Sequence, residues 1–388
     1  MTRYFGVLIV SCALVLAACS SSKPSSSAGS GTTSTAPGSS TAPTAPTVVT
    51  TTTVASGPRS IGHVFVINLE NEDYATTWGA NSPAHYLNET LVPKGKLLTQ
   101  YFGIGHASLD NYIAEISGQS PNPATQGDCV KYVEFTATGA GTGQYGQALG
   151  AGCTYPKSVK TIGDQLTAAG KTWRAYQEDM KTPCGHPAIG ANDTTIVPKP
   201  GAMYATRHDP FVYFHSIIDA PVCRTNVVDY SRLASDLKST ATTPNLVYIT
   251  PNVCHDGHDS PCVDGEPGGL VSADKFLSTE VPKILASPAF KADGLLVITV
   301  DEAELTDTTA CCNTPAAPNT AKPGINGPGG GRIGTLLLSP RIKAGVDATP
   351  YNHYALLCSI ENIFGLAHLG FAGAPGLACF GKDVYGAS

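Results

Sequence analysis

Three apolar runs in this chain each lead directly into polar side chains. Residues 64–67 (VFVI) lead to Glu70 and Asn71, residues 246–249 (LVYI) lead to the segment 252–258, and residues 295–298 (LLVI) lead to Asp301 and Glu302. Continuous apolar runs are typical of parallel strands that are buried on both faces. The carboxyl ends of such strands meet at one edge of a sheet. The sequence therefore predicts an α/β fold in which these polar residues lie together.

The polar residues at these strand ends are potential metal ligands. They carry carboxylate, amide and imidazole groups, and His353 at the start of a C-terminal helix adds a further imidazole. Oxygen ligands suit Mg, Ca and Mn, whereas a mixture with imidazole also suits Zn. We therefore predict a site for one or two divalent cations, with Mg, Mn, Ca and Zn all left open.

Composition is that of a folded, acidic protein. The chain has 388 residues, of which 42% are hydrophobic and 14% charged, which is enough for a large core. Its formal net charge is -6. A strongly basic surface is therefore not expected, and nucleic acid is not a predicted partner.

The first 58 residues read as export and tethering segments. Arg3 and the short apolar stretch 7–16 are followed by Leu-Ala-Ala-Cys19, which resembles a bacterial lipoprotein cleavage site. We predict a signal peptide at 1–18, a lipid on Cys19, and a disordered Ser/Thr/Pro/Ala-rich tether at 19–58. The chain is then anchored at the outer face of the cell membrane. An ordinary secretory signal is the alternative, and it makes the protein secreted.

Ten cysteines remain when Cys12 and Cys19 are set aside, an even number that predicts up to five disulfides in an exported protein. Short loops favour the pairs Cys254 with Cys262 and Cys358 with Cys379. The neighbours Cys311 and Cys312 are expected to join different partners, because a bridge between adjacent residues strains the peptide.

Residues 59–388 are predicted to form a single, disulfide-stabilised α/β domain and a monomer. Its central sheet is expected to be mostly parallel, with helices on both faces. The predicted helices cover 109–117, 158–169, 231–238, 273–285 and 354–366, and a further strand covers 335–338. Glu115 and Glu361 are expected to be surface charges on two of these helices.

Ser108 stands where a loop becomes a helix. The free backbone N–H groups at a helix start favour an anion such as a phosphoryl group close to this hydroxyl. Asn111, one turn further on, can face the same side. The alternative is that Ser108 only caps the helix.

Six motifs occur in an order that resembles the bacterial and fungal phosphoesterase family. They are ENEDY (70–74), HASLDNYIAEISG (106–118), RHDPFVYF (207–214), PNVCHDGHD (251–259), VITVDEAE (297–304) and NHYALLCSIENIFGL (352–366). This family includes acid phosphatases and phospholipases C and belongs to the alkaline-phosphatase superfamily. Within it the likeness is greatest to secreted acid phosphatases with phosphatidylinositol-3-phosphatase activity. The resemblance spans residues 61–369 and implies an alkaline-phosphatase-like fold.

The resemblance also implies roles for individual residues. Ser108 would be the nucleophile that forms a phosphoserine, and Asn111 would donate to the phosphoryl oxygens. A first set of metal ligands would be Glu70, Asn71, Asp301 and Glu302. A second group, Asp256, His258 and His353, would bind another metal or orient the attacking water and the leaving group. Asn252 stands where many superfamily members have aspartate, so a single metal is also compatible. Weaker candidates for contacting substrate are His106, His208, Asn252 and Arg332.

Three functions remain open from the sequence. The preferred interpretation is a metal-dependent phosphatase that acts on phosphomonoesters. Phosphoinositides are among the candidate substrates. A phospholipase C or another phosphodiesterase is the second, and a non-catalytic ligand-binding lipoprotein is the third. A binding protein needs neither Ser108 before Asn111 nor paired carboxylates at strand ends.

Overall fold

The computed structural model describes residues 61–385 of the chain. The predicted signal peptide at 1–18, the lipidated Cys19 and the tether at 19–58 lie outside the described residues. These three remain predictions.

The centre of the described region is an eight-stranded sheet in the order β11-β2-β10-β9-β1-β8-β6-β7. The strands are β1 (His63–Leu69), β2 (Lys96–Leu98), β3 (Tyr101–Phe102), β4 (Thr136–Thr142), β5 (Ala148–Ala151), β6 (Trp173–Gln177), β7 (Val227–Asp229), β8 (Leu246–Thr250), β9 (Gly294–Val300), β10 (Thr335–Leu338), β11 (Gly345–Asp347) and β12 (Tyr351–Asn352). Strands β9, β1, β8, β6 and β7 are parallel, and β10 is antiparallel to both β9 and β2. The predicted mostly parallel sheet is confirmed.

Strand register brings the three polar strand ends to the same level. Leu69 pairs with Val300, so the next residues, Glu70 and Asp301, leave the sheet side by side. On the other side of β1, Ile67 pairs with Ile249. All seven residues of β1 are buried, as are those of β8 and β9. The apolar runs therefore form the sheet's interior, and the sequence's prediction of a common polar edge is confirmed.

Helices connect these strands. The α-helices are α1 (Tyr74–Thr77), α2 (Ser108–Ser117), α3 (Ile162–Ala168), α4 (His215–Ile218), α5 (Val222–Asn226), α6 (Leu233–Asp236), α7 (Gly269–Ala286), α8 (Pro288–Asp293), α9 (His353–Phe364) and α10 (Lys382–Tyr385). A π-helical turn covers Tyr86–Leu91, and 3₁₀ turns cover Val92–Lys94, Thr125–Gly127, Gln144–Gly146, Thr206–His208, Pro210–Tyr213, Tyr230–Arg232 and Gly370–Gly373. None of the helices within 61–385 is sufficiently long and apolar to cross a membrane.

The predicted helices agree with α2, α3, α7 and α9 to within a few residues. Helix α3 begins later than expected, because Thr161 caps it in a capping box with Asp164. The predicted helix at 231–238 is instead a 3₁₀ turn followed by the single turn α6.

Two glutamates overturn the expectation of surface charges. Helix α2 is buried along its whole length, and Glu115 is only 3% exposed within it. Glu361 in α9 is fully buried and accepts a hydrogen bond from the backbone N of Leu369. The expectation was wrong because both glutamates face the protein interior, so a polar residue in these helices does not mark a solvent face.

Five disulfides join the ten cysteines of the described region. They are Cys129–Cys153, Cys184–Cys223, Cys254–Cys262, Cys311–Cys312 and Cys358–Cys379. The two pairs expected from short loops are confirmed. The expectation that Cys311 and Cys312 bind different partners was wrong. Left-handed backbone at Cys312 and Asn313, with φ of 74° and 51°, makes the tight turn that brings the adjacent side chains together.

Candidate active site

Ser108 is the first residue of α2, at the level of the sheet's polar edge. Its hydroxyl does not cap the helix, since it makes no hydrogen bond to the backbone N–H groups at the start of α2. Instead Oγ donates a hydrogen bond of 2.7 Å to Oε2 of Glu70. The side chain is buried, and its hydrogen-bond partner is a carboxylate. The capping alternative therefore does not describe this serine.

Asn111 shapes the loop that leads to Ser108. Its Oδ1 accepts from the backbone N of Ile104 at 2.7 Å and of Gly105 at 3.0 Å. Its Nδ2 donates to Oε2 of Glu302 at 2.7 Å. Asn111 thus links the start of α2 to the loop after β9. The amide oxygen is occupied by the backbone, and Nδ2 also lies 3.2 Å from the carbonyl oxygens of Gly105 and Ala107, so Nδ2 must give up one of these contacts to donate to a phosphoryl oxygen.

Four buried carboxylates surround Ser108. They belong to Glu70, Asp256, Asp301 and Glu302, which are all at most 5% exposed. Burial, together with repulsion from Asp301, raises the pKa of Glu70 well above its usual value. Burial also raises the pKa of Asp301 to about 8. Negative charges confined in this way strongly favour a cation among them.

His208 lies between two of these carboxylates rather than at a substrate surface. Its Nδ1 is 3.1 Å from Oδ2 of Asp256, and its Nε2 is 3.4 Å from Oε1 of Glu70. The ring stacks on Tyr112 with centroids 5.5 Å apart. Burial and the positive charge of Arg207 lower the pKa of His208 well below its usual value, which favours the neutral imidazole.

The geometry fits a divalent cation beside Glu70. Atoms Oε1 of Glu70, Nε2 of His208 and Oδ2 of Asp301 are buried without a hydrogen-bond partner among the described residues. A neutral His208 that donates from Nδ1 to Asp256 turns a lone pair at Nε2 towards Glu70, and two acceptors then face each other. Two ligands of one tetrahedral ion lie about 3.4 Å apart. Glu70, His208 and Asp256 also form a group with potential ligand atoms within 4.8 Å of one another.

A positively charged side chain borders the carboxylates. Arg207 is 7% exposed, and its Nη2 donates to Nε2 of His258 at 3.2 Å. Nδ1 of His258 is 2.8 Å from Oδ1 of Asp259. Asp128, also close to Arg207, accepts from the backbone N of Leu109 at the start of α2. Arg207 and the helix start together suit a phosphate oxygen.

Several predicted ligands are not in the cluster around Ser108. Asn71 has a left-handed backbone with φ of 56°, and its backbone N donates to Oδ1 of Asp301. His353 has both ring nitrogens engaged, with Nε2 2.6 Å from the carbonyl oxygen of Asp301 and Nδ1 2.9 Å from Oε1 of Glu115. His258 contacts Arg207 and Asp259, as described above. The ligand roles of these three residues remain predictions, and His353 has no ring nitrogen left for a metal in this arrangement.

The other substrate candidates also have protein partners. His106 is 2.8 Å from the carbonyl oxygen of Asp307 through Nε2, and Nδ2 of Asn252 donates to Asp179. The guanidinium of Arg332 lies 3.7 Å above the ring of Tyr74, and its Nε donates to the carbonyl of Thr99. These contacts hold loops in place. Substrate binding by the three residues stays a prediction.

Three residues of the site were not among the predicted ligands and catalytic groups. They are Arg207, Asp128 and Glu115. Arg207 precedes His208 in the motif RHDPF, so its position was visible in the sequence. Asp128 and Glu115 reach the site through contacts that are distant in the chain, with separations of 19 residues to Leu109 and 133 to Tyr248. No local pattern indicates such contacts.

A buried serine at a helix start, facing carboxylates suited to a cation, is typical of metal-assisted ester hydrolases. The model of the phosphoesterase family matches residues 81–367, and the chain belongs to that family. The family prediction is thereby confirmed.

Relatives with assigned names are acid phosphatases and a lipid phosphatase. The chain is 27% identical to the phosphate-repressible acid phosphatase of Penicillium chrysogenum, over 72% of this chain and 54% of the relative. It is 24% identical to the phosphatidylinositol-3-phosphatase of Mycobacterium tuberculosis, over 86% of this chain and 85% of the relative. The chain spans between 54% and 59% of the length of the fungal relatives that it matches.

Among solved structures, the fold is similar to a protein in the alkaline phosphatase superfamily from Vibrio parahaemolyticus. The TM-score is 0.48 at 12% identity, and the similarity covers 81% of this chain and 69% of that one.

Proposed function

We propose that this protein is a metal-dependent phosphatase that hydrolyses phosphomonoesters through a phosphoserine at Ser108. The observation that carries the proposal is the 2.7 Å hydrogen bond from Ser108 Oγ to Glu70 within a cluster of buried carboxylates. A serine needs such an acceptor to lose its proton as it attacks. The names of the fungal and mycobacterial relatives, which are all phosphatases, support a monoester substrate.

The proposed reaction has two displacements at phosphorus. Oγ of Ser108 forms a bond to phosphorus while its proton passes to Glu70, and the bond from phosphorus to the ester oxygen breaks. The leaving oxygen takes up a proton from water and departs as an alcohol, and Glu70 returns the proton that it received to the solvent. Water then attacks the phosphoserine, so that Ser108 regains its proton and inorganic phosphate is released. Nδ2 of Asn111 and the guanidinium of Arg207 stabilise the charge on the phosphoryl oxygens.

Glu70, His208 and Asp301 would hold the cation, since they carry the buried atoms without partners. Asp256 would then orient His208 from behind, as carboxylates commonly do for a metal-bound imidazole. When bound, the cation lowers the pKa of the serine and polarises the phosphate. A phosphoinositide headgroup is a candidate for the natural monoester, because the mycobacterial relative carries that name and aligns over most of its length.

The decisive experiment compares two serines of the same helix. Ser108→Ala should lower the turnover of p-nitrophenyl phosphate by at least about 10³-fold, because the nucleophile is lost. Ser117→Ala is the matched control: Ser117 is buried in α2 as well, but its hydroxyl donates to the carbonyl of Ile113. Its activity should stay within a few-fold of the wild type. A folded Ser108→Ala protein with normal turnover would refute the phosphoserine.

Chelation tests the cation in the same assay. Removal of divalent ions should abolish hydrolysis, and Mg, Mn, Ca or Zn should restore it. Full activity in protein shown to be metal-free by elemental analysis would contradict the proposal. The diester bis-p-nitrophenyl phosphate, assayed alongside, distinguishes the phosphatase from the phosphodiesterase alternative: faster hydrolysis of the diester would favour the latter.

A further inference from the structure

Glu115 is a buried carboxylate that the proposed chemistry does not use. It lies in α2, seven residues after Ser108, and accepts two hydrogen bonds at Oε2. Nδ2 of Asn68 donates to it at 2.7 Å, and the hydroxyl of Tyr248 donates at 2.6 Å. These donors come from β1 and β8, the two strands that carry Glu70 and the segment 252–258 to the polar edge. Glu115 therefore joins the nucleophile's helix to the strands beneath the site.

The other carboxylate oxygen of Glu115 is connected to the active site by contacts through His353. Oε1 is 2.9 Å from Nδ1 of His353, the first residue of α9. Nε2 on the far side of the ring lies 2.6 Å from the carbonyl oxygen of Asp301. A carbonyl oxygen can only accept, so Nε2 carries a hydrogen, and Nδ1 hydrogen-bonds Oε1 of Glu115, which has no other partner among the described residues, only through a second proton held between these two atoms. The hydroxyl of Tyr101 lies 3.3 Å from Nδ1, and the aromatic ring of Tyr101 packs edge-on against the imidazole.

The peptide that His353 holds connects Asp301 to Glu302. The side chains of Asp301 and Glu302 both belong to the carboxylate cluster. Oδ1 of Asp301 accepts from the backbone N of Asn71 and of Glu302, and Oε2 of Glu302 accepts from Asn111. The backbone has left the sheet here, since β9 ends at Val300. The hydrogen bond to His353 thus fixes the carbonyl between two side chains of the proposed cation site.

We propose that Glu115 and His353 form a positioning pair, in which Glu115 orients the imidazole and Nε2 of His353 holds the Asp301 carbonyl so that Asp301 and Glu302 face the cation. The inference rests on the proposed function, since it assigns residues behind its metal site. It gives His353 a place behind the carboxylates instead of among the metal ligands. Groups that orient metal ligands in this way typically contribute about 10- to 100-fold to metal affinity.

Cation affinity measured by titration calorimetry tests the pair directly. The probes are Mn²⁺, Mg²⁺, Ca²⁺ and Zn²⁺, added to the metal-free full chain, and the tightest binder of the wild type is used for all variants. His353→Leu should raise the Kd by about 10- to 100-fold, because the donor to Asp301 is lost. In His353→Gln the amide nitrogen reaches the position of Nε2, and the Kd should return to within about threefold of the wild type.

His63→Leu is the matched control. His63 is also a buried histidine paired with a carboxylate, because its Nδ1 lies 2.6 Å from Asp293, but it stands at the opposite end of β1 from Glu70. Its loss should lower the melting temperature and leave the cation Kd within about twofold. Unchanged binding in His353→Leu, or binding in His353→Gln as weak as in His353→Leu, overturns the inference. An equal loss in His63→Leu does so as well.

If His353→Leu does not fold, the comparison of His353→Asn with His353→Gln tests the inference instead. His353→Asn places its amide nitrogen at the position of Nδ1, where it faces Glu115 and not Asp301. It should bind the cation more weakly than His353→Gln, and equal binding by the two variants overturns the inference. A wild type that binds none of the four ions would overturn the proposed metal dependence and the positioning pair with it. If the wild type binds a cation and His353→Leu binds it with the same Kd, the positioning pair is overturned and the proposed metal dependence is not.

Discussion

Asp209 shows how burial sets the charge of a single carboxyl group. It is fully buried, and Oδ2 accepts from the hydroxyl of Tyr204 at 3.2 Å while Oδ1 has no partner among the described residues. Burial raises the pKa of Asp209 from 3.8 to about 8. The protonated group therefore contributes stability that is fully present below pH 3.8 and is lost as the pH rises towards 8.

Asp209→Asn removes this dependence, since the amide does not titrate. Relative to the wild type, the variant should gain about 1 kcal/mol in the free energy of unfolding for each pH unit between 5 and 7. Urea unfolding of both proteins at pH 5, 6 and 7 measures the difference. A constant difference across these three values would show that Asp209 titrates normally in the folded protein.

Single residues of the site differ in how far the sequence could predict them. Ser108, Glu70 and Asp301 follow directly from local patterns, because a helix start and two strand ends fix where they lie. His208 and Glu115 do not, since their surroundings come from other parts of the chain. Each of them is held by groups from separate strands or helices, and sequence spacing carries no information about such neighbours.

Close packing between the segment after β3 and the loop after β9 limits which residue type can occupy position 103. Gly103 follows this strand and touches the loop after β9. A Cβ at this position would lie 2.8 Å from the carbonyl oxygen of Asp301, 2.9 Å from that of Gly330 and 3.2 Å from Cα of Glu302. Contacts below 3.0 Å to backbone atoms force the loop to shift. Glycine is therefore required for the backbone approach that seats the two carboxylates.

Gly103→Ala should accordingly displace Asp301 and Glu302 and lower kcat/KM for p-nitrophenyl phosphate by at least about tenfold. Gly127→Ala is the control, because a Cβ there meets nothing within 4 Å. Its kcat/KM should match that of the wild type. Equal activity of the two variants would mean that the loop after β9 tolerates the displacement.

Regular elements with a strong pattern were predictable, and the loops between them were not. Strands β1, β8 and β9 are continuous apolar runs, which explains why their place in a parallel sheet could be inferred. The burial of α2 could not, because its charged residues suggest a solvent face that the fold does not provide. The tight turn at Cys311 and Cys312 likewise depends on left-handed backbone in two consecutive residues, 312 and 313, which composition alone does not reveal.

At the scale of the molecule, sheet order is the part of the fold that the sequence left undetermined. The strands at the centre, β9-β1-β8, come from the end, start and middle of the described chain. Their common polar edge follows from parallel pairing, whichever order they adopt. None of the five disulfides of the described region joins two of these strands, and the disulfides differ widely in the length of chain that they close.

Loop length should rank the disulfides by their contribution to stability. Cys184–Cys223 links residues 39 apart in sequence, Cys254–Cys262 links residues 8 apart, and Cys311–Cys312 links neighbours. In the chain-entropy account, the first contributes about 4 kcal/mol to the free energy of unfolding and the second about 2.5 kcal/mol. The third closes no loop of chain in the unfolded state, so it should contribute little by this route.

Paired Cys→Ala variants of each bridge, unfolded in urea without reductant, measure these contributions. The Cys184/Cys223 variant should lose the most stability and the Cys311/Cys312 variant the least, because only the former releases a long restrained loop in the unfolded chain. The m-value should rise with loop length as well, since a longer freed segment exposes more surface on unfolding. A loss in the Cys311/Cys312 variant as large as that in the Cys184/Cys223 variant would contradict the entropic ranking. It would mean that the bridge between neighbours stabilises the folded loop at 306–332 itself.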